Sequence, residues 1–159
     1  MWQDISNIGS LLSIISAVVA LRSAWAIKSY YNKITTLYSA EKLTVAEQKS
    51  IEAKKTFQDL KEMYMVPRGR KSTAYFEKYM QIDNTLDDIV HSLPIDCSDV
   101  SVLVKQAKDL LNRAASKEFV ENMSEHFNGL GRCLDTLYES LKAQKAKTQE
   151  KNVKNIKNA

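Results

Sequence analysis

The chain begins with a long apolar run in which small residues recur at helical steps. Between Asp4 and Arg22 lie 17 uncharged residues, which is close to the length of a membrane-spanning helix. The small residues form one heptad seam with alternating steps of three and four: Ser6, Gly9, Ser13, Ser16, Ala20 and Ser23. Helices in lipid associate by close packing and hydrogen bonding, and a stripe of small residues is typical of such a contact.

The same heptad step continues beyond the apolar run, where the seam residues become large. These residues are Ile27, Tyr30, Ile34 and Leu37. Large apolar residues at heptad spacing favour helix pairing in water. We therefore expect the protein to form a parallel homo-oligomer through the membrane and into a juxtamembrane coiled coil.

The residues that flank the run favour a span of the lipid bilayer. Trp2 and Trp25 bracket the run, and tryptophan is enriched at membrane interfaces. Three basic residues follow before the next acid: Arg22, Lys28 and Lys33. The positive-inside rule then places the N terminus outside and the C-terminal side in the cytoplasm. The alternative is a buried helix of a soluble bundle, because several serines lower the hydropathy of the run.

From Thr44 onward the pattern predicts amphipathic helices joined by short turns, without strand alternation. Thr44 and Glu47 fit a capping box, so a new helix is predicted to begin there and to end at Pro67. Its seam comprises Ala46, Ser50, Ala53, Phe57, Leu60 and Tyr64. A further helix is predicted from about Ser72 until Pro94 stops it. Its seam comprises Tyr75, Tyr79, Ile82, Leu86, Ile89 and Leu93.

Two more helices are predicted towards the C terminus. Asp96 or Ser98 can cap the first of them, and its stripe comprises Leu103, Ala107, Leu110 and Ala114. Ser116 is a plausible cap for the second, whose stripe comprises Val120, Met123, Phe127, Leu130, Leu134, Leu137 and Leu141. Gly129 and Gly131 interrupt this stripe and indicate either a break or the close approach of another backbone.

The predicted fold class is all-α. Residues 1–43 are expected to form the transmembrane and juxtamembrane helix, residues 44–145 a small cytosolic helical bundle, and residues 146–159 a basic tail. The tail is either a frayed continuation of the last helix or disordered. A soluble five-helix bundle is the alternative for the whole chain.

Charge is distributed unevenly along the chain. Residues 1–40 carry a net charge of about +2, residues 41–141 about −3 and residues 142–159 about +5. A binder of duplex nucleic acid would carry a basic stripe on its folded part. We expect no duplex nucleic acid as a partner, and the basic ends indicate either charge held near an anionic surface or a solvated tail.

The chain shows no pattern of an enzyme. His91 and His126 stand alone, and Cys97 and Cys133 lack the spacing of metal ligands. Phosphate-binding loops and nucleophile motifs are also absent from the sequence. We expect no catalytic residue, no metal and no cofactor.

One local pattern could bind a small anionic ligand. Arg68, Arg70 and Lys71 lie in a predicted turn beside Gly69, and Tyr75 follows. Guanidinium groups bind phosphate through paired donors, and aromatic faces can stack on bases. The alternative is an ordinary basic loop or a contact with lipid headgroups.

The order of these parts resembles the membrane-bound effectors of bacterial antiviral systems, particularly the type III CRISPR ancillary proteins that sense cyclic oligoadenylate. The resemblance covers the layout of the whole chain. It implies a single-pass protein of the bacterial inner membrane whose helices rearrange on ligand binding and breach the bilayer. The competing hypothesis is a membrane-tethered adaptor whose bundle docks a protein partner.

Overall fold

A computed structural model describes residues 2–65, 72–115 and 123–157 of the chain, with side chains at 13, 15–64, 74–115 and 124–154. It contains α1 (Trp2–Met65), α2 (Ser72–Ser92), α3 (Ser98–Ala115) and α4 (Met123–Lys157). These ranges contain no strand. The predicted all-α class is confirmed.

Helix α1 is uninterrupted over 64 residues, so the predicted helix start at Thr44 is wrong. The Thr44 hydroxyl donates to the carbonyl of Ala40 at 2.9 Å, which is the bond of a threonine inside a helix rather than at its cap. Glu47 accepts a hydrogen bond from Lys145 at 2.6 Å. No glycine or proline precedes Thr44 closely enough to stop the helix that reaches it.

Prolines account for the helix ends that the sequence predicted correctly. Helix α1 ends at Met65, two residues before Pro67, and α2 spans Ser72–Ser92, just before Pro94. Helix α3 begins as predicted near Ser98, but its cap is neither Asp96 nor Ser98. The Cys97 carbonyl accepts the first helical bond, from the Ser101 amide at 3.2 Å, so Cys97 holds the N-cap position.

The four helices form an up-and-down bundle. Helix α1 packs against α2 and α4, α3 packs against the same two helices, and the diagonal pairs keep their Cα atoms more than 8 Å apart within the described ranges. The predicted helical bundle is confirmed. The buried core contains Leu43, Ala46, Ala53, Phe57, Leu60, Tyr79, Ile82, Leu86, Ile89, Val100, Val104, Ala107, Leu111, Ala114, Phe127, Leu130, Leu134, Leu137 and Leu141.

The seam predicted for α3 is shifted. Val100, Val104 and Leu111 are buried, whereas the predicted Leu103 and Leu110 are half-buried at its edge. A helix that packs against two neighbours presents a wider apolar face than one heptad stripe.

Helix α4 runs through both glycines without a break. A Cβ at Gly131 would lie 3.1 Å from Cε1 of Phe57, and a Cβ at Gly129 would lie 3.7 Å from Cδ2 of Leu110. The close neighbours are therefore side chains, and both alternatives predicted for the glycines are wrong. The predicted Ser116 cap and Val120 lie outside the described residues. The tail continues α4 as far as Lys157.

Candidate membrane and self-association surface

The N-terminal part of α1 extends beyond the bundle. Every described side chain before Thr36 is exposed, and the first buried one is Leu43. Large apolar groups lie on this extension, with exposed fractions of 58% at Val18, 69% at Leu21 and 77% at Trp25. Contiguous exposed apolar surface of this kind marks an interaction site.

Between residues 27 and 38 the side chains of α1 separate into two faces. The apolar face, called here the 27–38 face, comprises Ile27, Tyr30, Tyr31, Ile34, Leu37 and Tyr38, all exposed. The polar face comprises Lys28, Ser29, Asn32, Lys33, Thr35 and Thr36. At 100° per residue these two sets do not overlap around the helix axis, so this segment is amphipathic.

The 27–38 face points away from the bundle. Thr36 and Ser39 of the polar side are half-buried, and helical steps of three and four connect them to Leu43 and Ala46 in the core. The apolar side therefore lies on the opposite side of α1 and is left open by the bundle's own helices.

The residues of the predicted oligomer seam are exposed to solvent wherever their side chains are described. Ser13, Ser16, Ala20, Ser23, Ile27, Tyr30 and Ile34 are all exposed, and Gly9 lies in the part of α1 whose exposure is not described. Contact between copies at these positions stays a prediction. Tyr31 and Tyr38 extend the same surface but were not part of the predicted seam, because a single heptad stripe is narrower than the apolar face that a helical projection reveals.

The helices whose side chains the structure describes include none that is both long and apolar enough to span a bilayer. The first part of the predicted span, residues 5–12, lies outside those side chains.

Of the predicted ligand-binding residues, Tyr75 is described, and Arg68, Arg70 and Lys71 lie outside the described residues. The Tyr75 ring lies 6.5 Å from the Tyr64 ring and 5.7 Å from the Tyr79 ring, between centroids. The Tyr79 hydroxyl donates to the Ala114 carbonyl at 3.3 Å. The Tyr75 hydroxyl oxygen is buried and has no hydrogen-bond partner among the described residues.

The environment keeps these phenols neutral. Burial raises the pKa of Tyr79 to about 12, with a smaller contribution from Tyr64. Burial, with Tyr79 and Tyr64, also raises the pKa of Tyr75 well above its usual value. Both phenols therefore remain hydrogen-bond donors at neutral pH. An unpartnered buried donor costs about 1–3 kcal/mol of stability. A hydrogen bond from the Tyr75 hydroxyl to a ligand's acceptor would relieve this cost and so favour binding.

No protein-family model, curated protein or solved structure matches this chain. The class of the protein is defined by its fold, a four-helix bundle whose first helix continues far beyond it. The function must be argued from the exposed extension of α1 and from the aromatic cluster.

Proposed function

We propose that the protein is a membrane-anchored, self-associating effector. In this proposal the N-terminal part of α1 inserts into a bilayer, and the bundle receives a small anionic signal on the cytoplasmic side. The observation that carries the proposal is the exposed apolar extension of α1, which the bundle leaves uncovered from residue 15 to residue 35.

Sequence features support a bilayer as the partner of the outer part of this extension. The 17 uncharged residues before Arg22 reach the lower limit of a span. Trp25 is exposed, and Arg22 and Lys28 flank it, as at a cytoplasmic membrane interface. The orientation places the bundle in the cytoplasm, at the inner membrane of a bacterium.

The 27–38 face supports self-association just outside the membrane. Ile27, Tyr30 and Ile34 continue the small-residue seam on one side of the helix. Parallel copies of α1 would cover this face with each other and leave each bundle on the outside of the contact. In lipid, the Gly, Ser and Ala contacts of the seam are worth about 1 kcal/mol each, which leaves the helices able to rearrange.

The anionic signal would bind at the other end of the bundle. Arg68, Arg70 and Lys71 follow the end of α1, and Tyr75 supplies a neutral buried donor nearby. In a cyclic oligomer the same basic residues from several copies would lie round one axis, which suits a symmetric ligand such as a cyclic oligoadenylate. Ligand binding would then shift the membrane helices and perturb the bilayer, as the resemblance to antiviral effectors implies.

Membrane fractionation tests the anchor, and photo-crosslinking tests the seam. Crosslinkers at Ser23 or Ile34 should trap dimers, whereas those at Val18 or Lys33, which lie away from the seam, should not. The chain should remain in the membrane pellet after alkaline carbonate extraction. Recovery in the supernatant contradicts the anchor, and dimers formed from Val18 but not from Ser23 contradict the seam.

A second candidate function is a membrane-tethered adaptor. An open groove between α1 and α2 exposes Phe76 and Met80 beside Lys49 and Asp88. Exposed apolar side chains rimmed by charges are typical of protein-docking sites. A partner recovered from native membranes with the wild-type chain, and lost with Phe76→Glu/Met80→Glu, supports the adaptor. A nucleotide-induced thermal shift lost in Arg68→Glu/Arg70→Glu supports the sensor.

A further inference from the structure

The described lysines fall into two groups that differ in their partners. Five lysines of the bundle lie 2.6–3.3 Å from carboxylates, and these are Lys49, Lys54, Lys78, Lys108 and Lys145. Other exposed lysines of the bundle, among them Lys55, Lys61 and Lys105, form no ion pair with any described residue. Beyond Lys145, the exposed Lys147, Lys151 and Lys154 form no ion pair with any described residue. Their spacing of four and three places them on one side of α4.

The register of α4 against α1 shows where these lysines lie. Lys54 pairs with Asp135 at 2.6 Å, and Glu47 pairs with Lys145 at 2.6 Å. Moving towards the N terminus of α1 therefore means moving towards the C terminus of α4. The last turns of α4 lie at the end of the bundle from which the extension of α1 emerges.

Two lysines of α1 join this end of the molecule. Lys28 and Lys33 are exposed, form no ion pair with any described residue, and lie on the polar face that leads into the bundle. Residues 22–43 of α1 contain one acid, Glu41, and the chain beyond residue 145 contains one acid, Glu150. The basic patch, defined by Lys28, Lys33, Lys147, Lys151 and Lys154, therefore carries a net positive charge.

We propose that this basic patch binds the anionic headgroups of a lipid bilayer. The proposal rests on the anchor proposed above and names the lipid class that it prefers. The same end of the molecule exposes Trp25 and Leu21, and an apolar helix next to unpaired lysines suits a membrane better than a nucleic acid.

Distances along α1 agree with this arrangement. Continuing the α4 register brings Lys154 level with about Thr36, which is about 16 Å along the axis from Trp25. If Trp25 marks the interface, the headgroup layer occupies roughly the first 5–8 Å of that distance. For Lys154 the remaining gap is about one Debye length at physiological ionic strength, so this lysine would act on the headgroups at short range. Lys28 would lie within the headgroup layer, and Lys33 would reach it with its extended side chain. Lys147 lies about 10 Å further from the membrane than Lys154, so its contribution would be weaker.

Lysine acetylation of the full chain in phosphatidylcholine nanodiscs, with and without phosphatidylglycerol, tests the proposal. Phosphatidylglycerol should slow acetylation of Lys28 and Lys33 about fivefold, the factor for a lysine at an anionic surface. It should slow acetylation of Lys154, about one Debye length away, about twofold, with smaller effects at Lys151 and Lys147. About 1 M salt, with a Debye length of about 3 Å, should abolish the difference. Lys55, Lys61 and Lys105 provide the internal control, since they are exposed and form no ion pair with any described residue.

Vesicle flotation separates the failure of this proposal from that of the anchor. The matched variants are Lys147→Gln/Lys151→Gln/Lys154→Gln and Lys55→Gln/Lys61→Gln/Lys105→Gln, which change net charge equally. If the chain floats with both lipid mixtures but its lysines are not protected from acetylation, the patch is overturned and the anchor is retained. Flotation with anionic vesicles alone, lost in the α4 variant but not in its control, supports the patch and overturns the anchor. Flotation with neither overturns both.

Discussion

At the scale of single residues, small groups and buried hydroxyls set the local geometry of the bundle. Gly131 lets α4 approach Phe57, whose ring lies 5.8 Å from the Phe127 ring between centroids. Tyr79 has a hydrogen-bond acceptor, whereas Tyr75 next to it has none among the described residues. Such differences depend on which side chain faces which, and periodicity in the sequence does not contain that information.

The two glycines of α4 should respond differently to alanine. Gly129→Ala gains helix propensity and meets only an ordinary contact at 3.7 Å, so we expect about 0.5–1 kcal/mol of added stability. Gly131→Ala has the same gain, but its Cβ would press on Phe57 at 3.1 Å and the ring must move. Urea unfolding followed by circular dichroism should rank Gly129→Ala as the more stable variant. The reverse order would contradict the packing around Phe57.

The two tyrosines form a matched pair for the ligand site. Tyr75→Phe removes a buried hydroxyl without a partner among the described residues, so stability should stay equal or rise by about 1 kcal/mol. Tyr79→Phe removes the bond to Ala114 and should cost about 1 kcal/mol. If Tyr75 donates to the proposed ligand, Tyr75→Phe should also reduce the ligand-induced thermal shift, and Tyr79→Phe should not. A Tyr75→Phe shift equal to that of the wild-type chain would remove Tyr75 from the site.

At the scale of helices, the sequence predicted ends better than beginnings. Pro67 and Pro94 cannot continue a helix, so their effect is local and could be read directly. Thr44 favours a helix start only if the preceding residues are not helical. Here the helix begins at Trp2, so Thr44 lies in its interior. The 27–38 face was found only in part, because a single heptad stripe is narrower than this apolar face.

Thr44→Ala tests the continuity of α1. A threonine at a helix cap would cost about 1 kcal/mol when replaced by alanine. Thr44 instead bonds back to Ala40 within the helix, and alanine has the higher helix propensity. We therefore expect the free energy of unfolding, measured by urea unfolding, to be unchanged or up to about 0.5 kcal/mol higher. A loss of 1 kcal/mol or more would restore the helix boundary at Thr44.

At the scale of the whole molecule, α1 joins the two ends to which the proposals assign different tasks. Trp25 lies at the proposed membrane interface, and Met65 lies three residues before Arg68, the first of the basic residues proposed to bind the signal. About 60 Å of helix separates these positions at 1.5 Å per residue. A continuous helix can carry a shift or rotation from one end to the other, because its backbone hydrogen bonds keep it from bending freely.

Insertions after Asn32, where α1 is exposed, test this mechanical link. Seven flexible Gly and Ser residues should leave the ligand-induced thermal shift of the bundle intact but abolish ligand-dependent leakage from vesicles, since a disordered segment transmits no rotation. A helical heptad of the same length retains the seam register and should preserve the leakage. Ligand-dependent crosslinking at Ile34 measures the shift of α1 directly. Equal leakage from both insertions would mean that α1 does not transmit the signal.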